Sequence, residues 1–357
     1  MEMTDRFKID SHKLIYHVPR VNKWLQGKNV YPIYIEIGLF AGCNQRCIFC
    51  AFDFLKYKPY VLNEEALKKF ILEATKRGVK SIMYAGEGEP LLHKDAVDII
   101  VFTKKAGIDV SVTTNGVIFD KEMAKKSLGY LSWFRVSLNA ATRENYSIIH
   151  NTAKEDFNIV INNLKNAVKV RDKNRYSCTI GVQFLLIPQN YKEVAILAGI
   201  LSDVGVDYLV IKPYSQHPLS INKINPKFKY SSSLFLEKKL KRYKKNNFQI
   251  IFRRHGIEKL EEERPYKLCL GLPFITYMAA TGDIYPCSLF LGKKDFIFGN
   301  ICQESFKNIW EGKRRKRIMQ MLQTKWDIKN CRRGCRVDEI NRYLWELKNP
   351  STHVNFI

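Results

Sequence analysis

The sequence predicts an α/β fold, a partial (β/α)6 barrel followed by a smaller C-terminal α+β module. Three observations lead there. Six strand-like runs alternate with helix-like runs up to about residue 212; the alternation stops after Pro213; and five of the nine cysteines lie beyond Tyr266. Regular alternation implies parallel strands joined by helical crossovers. A closed eightfold barrel needs about 250 residues. Six units stop short of that, at an open, incomplete barrel or, on the same periodicity, a doubly wound sheet.

The elements follow in order. Ile33–Leu39 is a β-branched run ending near Gly42. Asn63 can cap a helix to Arg77, with Glu64 and Glu65 suited to its first turn. Val79–Tyr84 is a strand that closes on a glycine-rich turn. Asp95–Ala106 and Asp120–Ser127 read as helices around a strand at Asp109–Thr113. Trp133–Leu138 is the fourth strand, followed by helical sequence over Arg143–Ile149 and Asp156–Val170. Thr179–Ile187, a helix at Tyr191–Val204 and a sixth strand at Val206–Lys212 complete the alternation. The stretch Tyr214–Arg254 then carries 11 Lys/Arg and a single acid, Glu237, and reads as a basic connector with a helix near Ser233–Lys245 and a strand at Phe248–Phe252. Phe274–Ala279 and Asp283–Cys287 flank Ala280–Thr281–Gly282 as a hairpin. Glu304–Trp310, Lys313–Gln323 and Asp338–Leu347 look helical. The expected divisions are an N-terminal extension (1–32), a core (33–212), the connector (213–265) and the cysteine-bearing module with its tail (266–357).

Composition excludes several classes. With 46% apolar and 12% aromatic residues, the chain can bury a core and is not generally disordered. No apolar run reaches the roughly 18–20 residues of a membrane helix, and Met1–Asp10 has no apolar stretch of signal-peptide type. The expectation is a soluble, cytoplasmic protein with no membrane partner. The formal net charge of +24 attracts anions such as nucleotides, phosphorylated sugars or nucleic acid, or simply solvates a lysine-rich surface. No RNA-binding signature with stacking aromatics accompanies it, so nucleic acid is not the expected partner. The basic run Lys313–Arg317 is compatible with either use.

An odd number of cysteines without an export signal argues against a disulfide framework and for metal binding. Cys43, Cys47 and Cys50 form a C-x3-C-x2-C loop just after the first strand, at the C-terminal mouth where β/α active sites gather. Three thiolates at this spacing can hold three irons of one [4Fe–4S] cluster and leave the fourth open. A zinc site completed by His12, His17 or His93 is the alternative. Cys269-x12-Gly282-x4-Cys287 and Cys331-x3-Cys335 supply four more thiols, enough to close a second cluster or a structural zinc site. Cys178 and Cys302 are left over.

The loop, with Phe49 before its third cysteine, resembles the signature of the radical S-adenosylmethionine (radical SAM) superfamily. Gly86-Glu87-Gly88-Glu89-Pro90 after the second strand resembles that family's GGEP turn. Thr114-Asn115-Gly116 resembles its TNG element. Ser137-Leu138-Asn139 resembles SLD with Asn in place of Asp. The resemblance covers about residues 33–212, and the C-x12-G-x4-C element extends it to the SPASM and shortened twitch modules, so the C-terminal module is expected to be an iron–sulfur domain. It implies two [4Fe–4S] clusters, SAM as cosubstrate and a flavodoxin- or ferredoxin-type electron donor. Cys43, Cys47 and Cys50 would hold the SAM-binding cluster, and Cys269, Cys287, Cys331 and Cys335 the auxiliary one. Gly86, Glu87, Gly88, Glu89, Thr114, Asn115, Ser137, Asn139, Gln183 and Lys212 would surround SAM. His217, Cys178 and Cys302 are the weaker candidates for proton or hydrogen transfer. The implied chemistry is reductive cleavage of SAM to a 5′-deoxyadenosyl radical and hydrogen abstraction. The short N-terminal extension favours a polar small molecule, anionic or neutral (a sugar, aminocyclitol or nucleotide-linked compound), for dehydrogenation or epimerisation. Modification of a peptide or protein is the alternative, and a basic RNA-binding metal protein without radical chemistry the remote one.

Overall fold

The computed structural model describes residues 7–224, 228–245 and 247–356. The first six residues of the extension, Asn225–Lys227 and Asn246 of the connector, and Ile357 of the tail lie outside them.

A short helix, α1 (Val18–Leu25), with Pro19 in its first turn, leads into β1 (Tyr34–Gly38). There follow α2 (Glu64–Lys76), β2 (Ser81–Ala85), α3 (Ala96–Lys105), β3 (Asp109–Thr114), α4 (Lys121–Ser127) and β4 (Trp133–Ser137). Next come α5 (Arg143–His150), α6 (Asp156–Lys173), β5 (Thr179–Leu186), α7 (Val194–Val204) and β6 (Tyr208–Pro213). Side-chain caps fix several helix starts, the one at Asn63 as expected. Asn63 accepts from the Ala66 N–H at 2.8 Å, and Asp120 from the Met123 N–H at 2.8 Å. The helices α1 and, later, α9 (Arg254–Glu261) were not expected; α9 carries an interior glycine, Gly256, which weakens the helical signal.

The sheet is larger than six strands. Its order is β10-β9-β8-β1-β2-β3-β4-β5-β6-β7, where β7 is Gln249–Phe252, β8 Ile275–Met278, β9 Asp283–Tyr285 and β10 Gly299–Asn300. The connector strand β7 runs parallel to β6 and becomes a seventh parallel strand. The hairpin β8–β9 is antiparallel as expected, but β8 also pairs in parallel with β1, Tyr34 opposite Ile275. The C-terminal module thus continues the core sheet. Without β8, the first strand would expose a row of unpaired backbone groups, which β8 covers. Gly282 turns this hairpin at φ +84°, a left-handed conformation that favours glycine.

The central strands are buried on both faces over much of their length, with four consecutive buried residues in β2 and in β6, while β4 alternates. In β4, Phe134 and Val136 are buried under helices while Trp133, Arg135 and Ser137 face the lumen. Phe7 and Ile9 of the N-terminal extension pack against Tyr208, Val210 and Ile251 and fill one end of the lumen. The remaining helices, α8 (Phe235–Leu240), α10 (Phe306–Glu311), α11 (Lys313–Thr324) and α12 (Asp338–Lys348), pack around the sheet. The basic run on α11 is partly structural. Arg315 is buried with its guanidinium 3.7 Å from the Trp310 ring, and Arg314 donates to the Ile297 and Lys294 carbonyls.

Candidate active site at the C-terminal edge of the sheet

The three-cysteine loop leaves β1 and is bedded on the end of α5. The Arg46 and Ile48 N–H groups donate to the His150 and Ile149 carbonyls at 3.1 and 3.0 Å. Gln45 is buried and donates to the Tyr146 hydroxyl at 2.8 Å. Arg46 donates to the Cys43 carbonyl at 2.6 Å and lies 4.2 Å from the Tyr57 ring. Burial pushes all three thiols up, Cys43 to about 11 and Cys47 further, and each thiol also senses the charge of a neighbour in the loop.

The glycine-rich turn after β2 packs on this loop. The Glu89 N–H donates to the Gly42 carbonyl at 2.9 Å. A Cβ on Gly88 would fall 2.2 Å from the Phe40 carbonyl oxygen and 2.3 Å from that of Gly42. Gly86 sits at φ +149°, beside Gly38. Glu89 is buried; its carboxylate accepts from Thr114 Oγ1 at 2.6 Å, the Asn115 N–H at 2.7 Å and the Leu91 N–H at 3.1 Å. Burial raises its carboxyl to about 7 against the pull of these donors. Glu87 turns the other way. Its two oxygens accept from the Tyr277 hydroxyl and the Ala280 N–H, both at 2.8 Å, so it ties the turn to the β8–β9 hairpin.

Asn115 reaches the cysteine loop, donating to Asn44 Oδ1 at 2.6 Å, with its amide nitrogen 4.0 Å from Cys43 Sγ. Asn139 is fully buried. Its Oδ1 accepts from the Leu185 N–H at 2.6 Å, and its backbone N–H donates to His150 Nε2 at 3.2 Å. His150 Nδ1 faces Gln45 Oε1 at 3.0 Å and Cys47 Sγ at 3.4 Å. Sequence reading missed His150; a lone histidine at a helix end carries no motif. It also missed Tyr277, whose partner Glu87 is 190 residues away.

The second thiol set comes together from three segments. Cys287 begins a 3-10 turn after β9, Cys269 precedes a turn at Leu272–Phe274, and Cys331 and Cys335 sit before α12. Each of the four thiols is pushed up by burial, Cys269 to about 12, and Cys269, Cys287 and Cys335 are raised further by at least one other thiol of the set. Trp326 Nε1 donates to Cys331 Sγ at 3.3 Å and Asn341 Nδ2 to Cys269 Sγ at 3.6 Å. Arg264 clasps the cysteine turn through the carbonyls of Ile328, Arg332 and Arg333.

The segment after β6 spans the two sets. Ser220 Oγ donates to the Cys50 carbonyl at 3.0 Å, while Ser215 accepts from Arg332 and, on its hydroxyl, from the Gly334 N–H. His217 in this segment is buried, stacked 5.0 Å from the Phe54 ring, and burial lowers it to about 4. Gln183 lies opposite Ser137 on the lumen face. Lys212 stands at the lumen end of β6, driven well below the usual lysine range by burial and by Arg135, Arg253, Arg336 and Arg332. Cys178 is buried at the start of β5, the end opposite the cysteine loop, and Cys302 is exposed in a groove with Asn63 and Lys69. Neither thiol is brought to the loop.

The donor sets fit iron–sulfur clusters. The first offers three thiols on one loop with N–H donors around them. The histidines considered for a zinc site are placed elsewhere: His93 Nε2 is 2.9 Å from the Leu62 carbonyl, His12 stacks on Tyr343, and His17 starts α1. Among the described residues no group of three or more His, Cys, Asp or Glu side chains is set to hold a single metal ion. Thiolates of a cluster bind different irons and need not converge on one point.

Residues 37–200 match the model of the radical SAM superfamily, and residues 269–336 that of SPASM, an iron–sulfur cluster-binding domain. Among curated proteins, the chain is 24% identical over 299 residues to the "Tungsten-containing aldehyde ferredoxin oxidoreductase cofactor-modifying protein" of Pyrococcus furiosus, covering 79% of this chain and 81% of that one. It is 29% identical over 191 residues to a "Probable GTP 3',8-cyclase" of Saccharolobus islandicus, covering 53% of this chain and 59% of the relative. Among solved structures, Streptococcus suis SuiB bound to S-adenosylmethionine matches with TM-score 0.67 and 19% identity, over 95% of this chain and 79% of SuiB. Native anSMEcpe with bound AdoMet matches with TM-score 0.58 and 18% identity, over 89% and 95% of the two chains. The two structural likenesses support the barrel-like α/β fold.

Proposed function

From a chain that carries a radical SAM domain and, at its C-terminus, a SPASM iron–sulfur domain, we propose an enzyme that takes a hydrogen atom from a polar small molecule and ends in its dehydrogenation or epimerisation. The radical SAM domain binds a [4Fe–4S] cluster and SAM, and SPASM domains bind auxiliary iron–sulfur clusters. Together these groups supply one-electron cleavage of SAM to a 5′-deoxyadenosyl radical. The observation that carries the reading is the three-thiol loop at the C-terminal edge of the sheet, bedded on the Gly88 turn and on Asn115.

The residues divide the work. Cys43, Cys47 and Cys50 would hold the SAM-binding cluster. The Gly86–Gly88 turn offers backbone carbonyls beside it, and Thr114, Asn115 and Ser137 offer short polar groups at strand ends. Glu89 orients the Thr114–Asn115 turn through three hydrogen bonds. Cys269, Cys287, Cys331 and Cys335 hold the auxiliary cluster. The segment from Ser215 to Ser220 touches the turns that carry both cysteine sets, and a substrate bound against it would lie between them. An auxiliary cluster held by these four thiols would supply a one-electron acceptor for a dehydrogenation.

A peptide substrate is the second reading, favoured by the fold likeness to SuiB, which has also been solved bound to its precursor peptide SuiA. The test is anaerobic reconstitution, iron and sulfide counting, then dithionite and SAM. About eight irons per chain with 5′-deoxyadenosine formed is the expected result. A fully loaded protein that leaves SAM intact overturns the proposal. Turnover of peptides and of no free small molecule moves it to the second reading.

A further inference from the structure

A cavity of about 500 Å³ opens beside the auxiliary cysteines. That volume lies in the usual range for small-molecule sites, about 300–1,000 Å³. Its walls come from the segment after β6 (Gln216, Pro218, Leu219), from Leu289 and Lys293, and from the turn that carries Cys331. Four of the lining side chains are cations, Lys293, Lys329, Arg332 and Arg333, and no carboxylate lines it. Asp327 lies beside the cavity, but its carboxylate caps the next turn, accepting from the Lys329 N–H at 2.8 Å.

Arg332 is the pivotal residue. One of its terminal nitrogens donates to the Ser215 carbonyl at 2.7 Å, while its Nε is buried without a partner. A buried guanidinium N–H left unpaired is costly, and a bound anion removes that cost. On the lumen side, Arg135 also has a buried, unpartnered Nε. Arg336, outside the cavity, is already paired with Glu36. Positive charge is therefore concentrated along the cavity wall, where Lys293, Lys329, Arg332 and Arg333 line it with no carboxylate among the described lining residues.

We infer that this cavity binds the anionic group, phosphate or carboxylate, of the substrate. The substrate role rests on the function proposed above; the binding itself does not. Guanidinium and ammonium groups gathered in one cleft favour such anions, through charge-assisted hydrogen bonds. The position beside Cys331 puts the anchored molecule next to the auxiliary cluster. A closed cluster on four thiolates carries negative charge of its own and offsets part of the field, so the test uses the reconstituted protein.

Binding of inorganic pyrophosphate and of citrate is measured by calorimetry at constant ionic strength. Saturable binding of either is expected, weakened by about tenfold or more in Lys293→Ala/Lys329→Ala and in Arg332→Gln. The double lysine variant alters partly exposed side chains and guards against a folding failure of the arginine variant. Preference for pyrophosphate assigns a phosphoryl group, and preference for citrate a carboxylate. No saturable binding by the reconstituted wild type overturns the inference. So does an equal loss in Lys313→Ala/Lys316→Ala, which changes only exposed lysines on α11. The same preparation is assayed for 5′-deoxyadenosine without either anion. SAM cleavage without anion binding removes the anion site alone; anion binding without cleavage removes the enzymatic reading and keeps the site.

Discussion

The backbone N–H of Asn139 donates to Nε2 of His150 at 3.2 Å, and this hydrogen bond decides which ring nitrogen carries the proton. With Nε2 accepting, the proton sits on Nδ1, which faces Gln45 Oε1 at 3.0 Å and Cys47 Sγ at 3.4 Å. The imidazole is buried and held neutral, its pKa lowered to about 3. Hydrogen bonds to ligand sulfur stabilise the more reduced, more negative state of a cluster. His150→Phe fills similar space without a donor and is expected to shift the cluster on Cys43, Cys47 and Cys50 to a more negative potential. His150→Gln, which can still donate, should shift it less. An EPR-monitored redox titration reads both; equal potentials in wild type and His150→Phe would sink the idea.

Gly88 has the tightest surroundings of any glycine near the site. A methyl group there meets the Phe40 and Gly42 carbonyl oxygens at 2.2 and 2.3 Å. Backbone cannot rotate aside as a side chain can, so the turn must move off the cysteine loop. Gly88→Ala is expected to cost about 1–3 kcal/mol and to lower iron bound at the three-cysteine loop. Thermal unfolding and iron analysis check this, with Gly199→Ala, where the nearest atom is 3.4 Å away on the Tyr243 ring, as the tolerant comparison.

The core was legible because its signals are local. The alternation of β-branched runs with helical runs marks β1–β6, and Asn63 caps where the sequence places it. Cysteine spacing pointed to both thiol sets. What stayed hidden depends on contacts distant in sequence. No periodicity announces that β8 pairs with β1 across about 240 residues of chain. The sequence did not show that Glu87, expected beside SAM from its motif, also fastens the hairpin, because Tyr277 and Ala280 arrive there only in the folded chain. Asn139 is an amide for a reason seen only in three dimensions: it accepts from Leu185 N–H while its Nδ2 lies 3.4 Å from the accepting nitrogen of His150. A carboxylate at that position would face an acceptor with no proton to offer.

Glu87 is the fastener between the core turn and the C-terminal hairpin. Removing its side chain leaves the Tyr277 hydroxyl and the Ala280 N–H buried without acceptors, each loss costing about 1–3 kcal/mol. Glu87→Ala should therefore destabilise by about 2–5 kcal/mol. Glu87→Gln retains one acceptor and should cost less. Urea unfolding of both variants in the same loaded state gives the comparison. A loss under about 0.5 kcal/mol, the level of an ordinary surface change, would show that the hairpin is held by β8 pairing alone.

His217 makes stability depend on acid. Its folded pKa is about 4, lowered first by burial and then by Arg332 and Lys293, against an ordinary value of 6.5. Above pH 6.5 both folded and unfolded chains hold it neutral, and its contribution to stability is constant. Between pH 6.5 and about 4 the unfolded chain takes up a proton that the folded chain refuses, so stability falls as pH falls. At pH 5 the loss from this group is about 2 kcal/mol. His217→Phe keeps a ring to stack on Phe54 but has nothing to protonate, although the Leu219 N–H loses its acceptor. The variant is thus expected to be less stable at pH 7, yet to lose less between pH 7 and pH 5 than the wild type. Melting temperatures at the two pH values separate these effects. An identical fall in both proteins would mean that other groups carry the acid sensitivity.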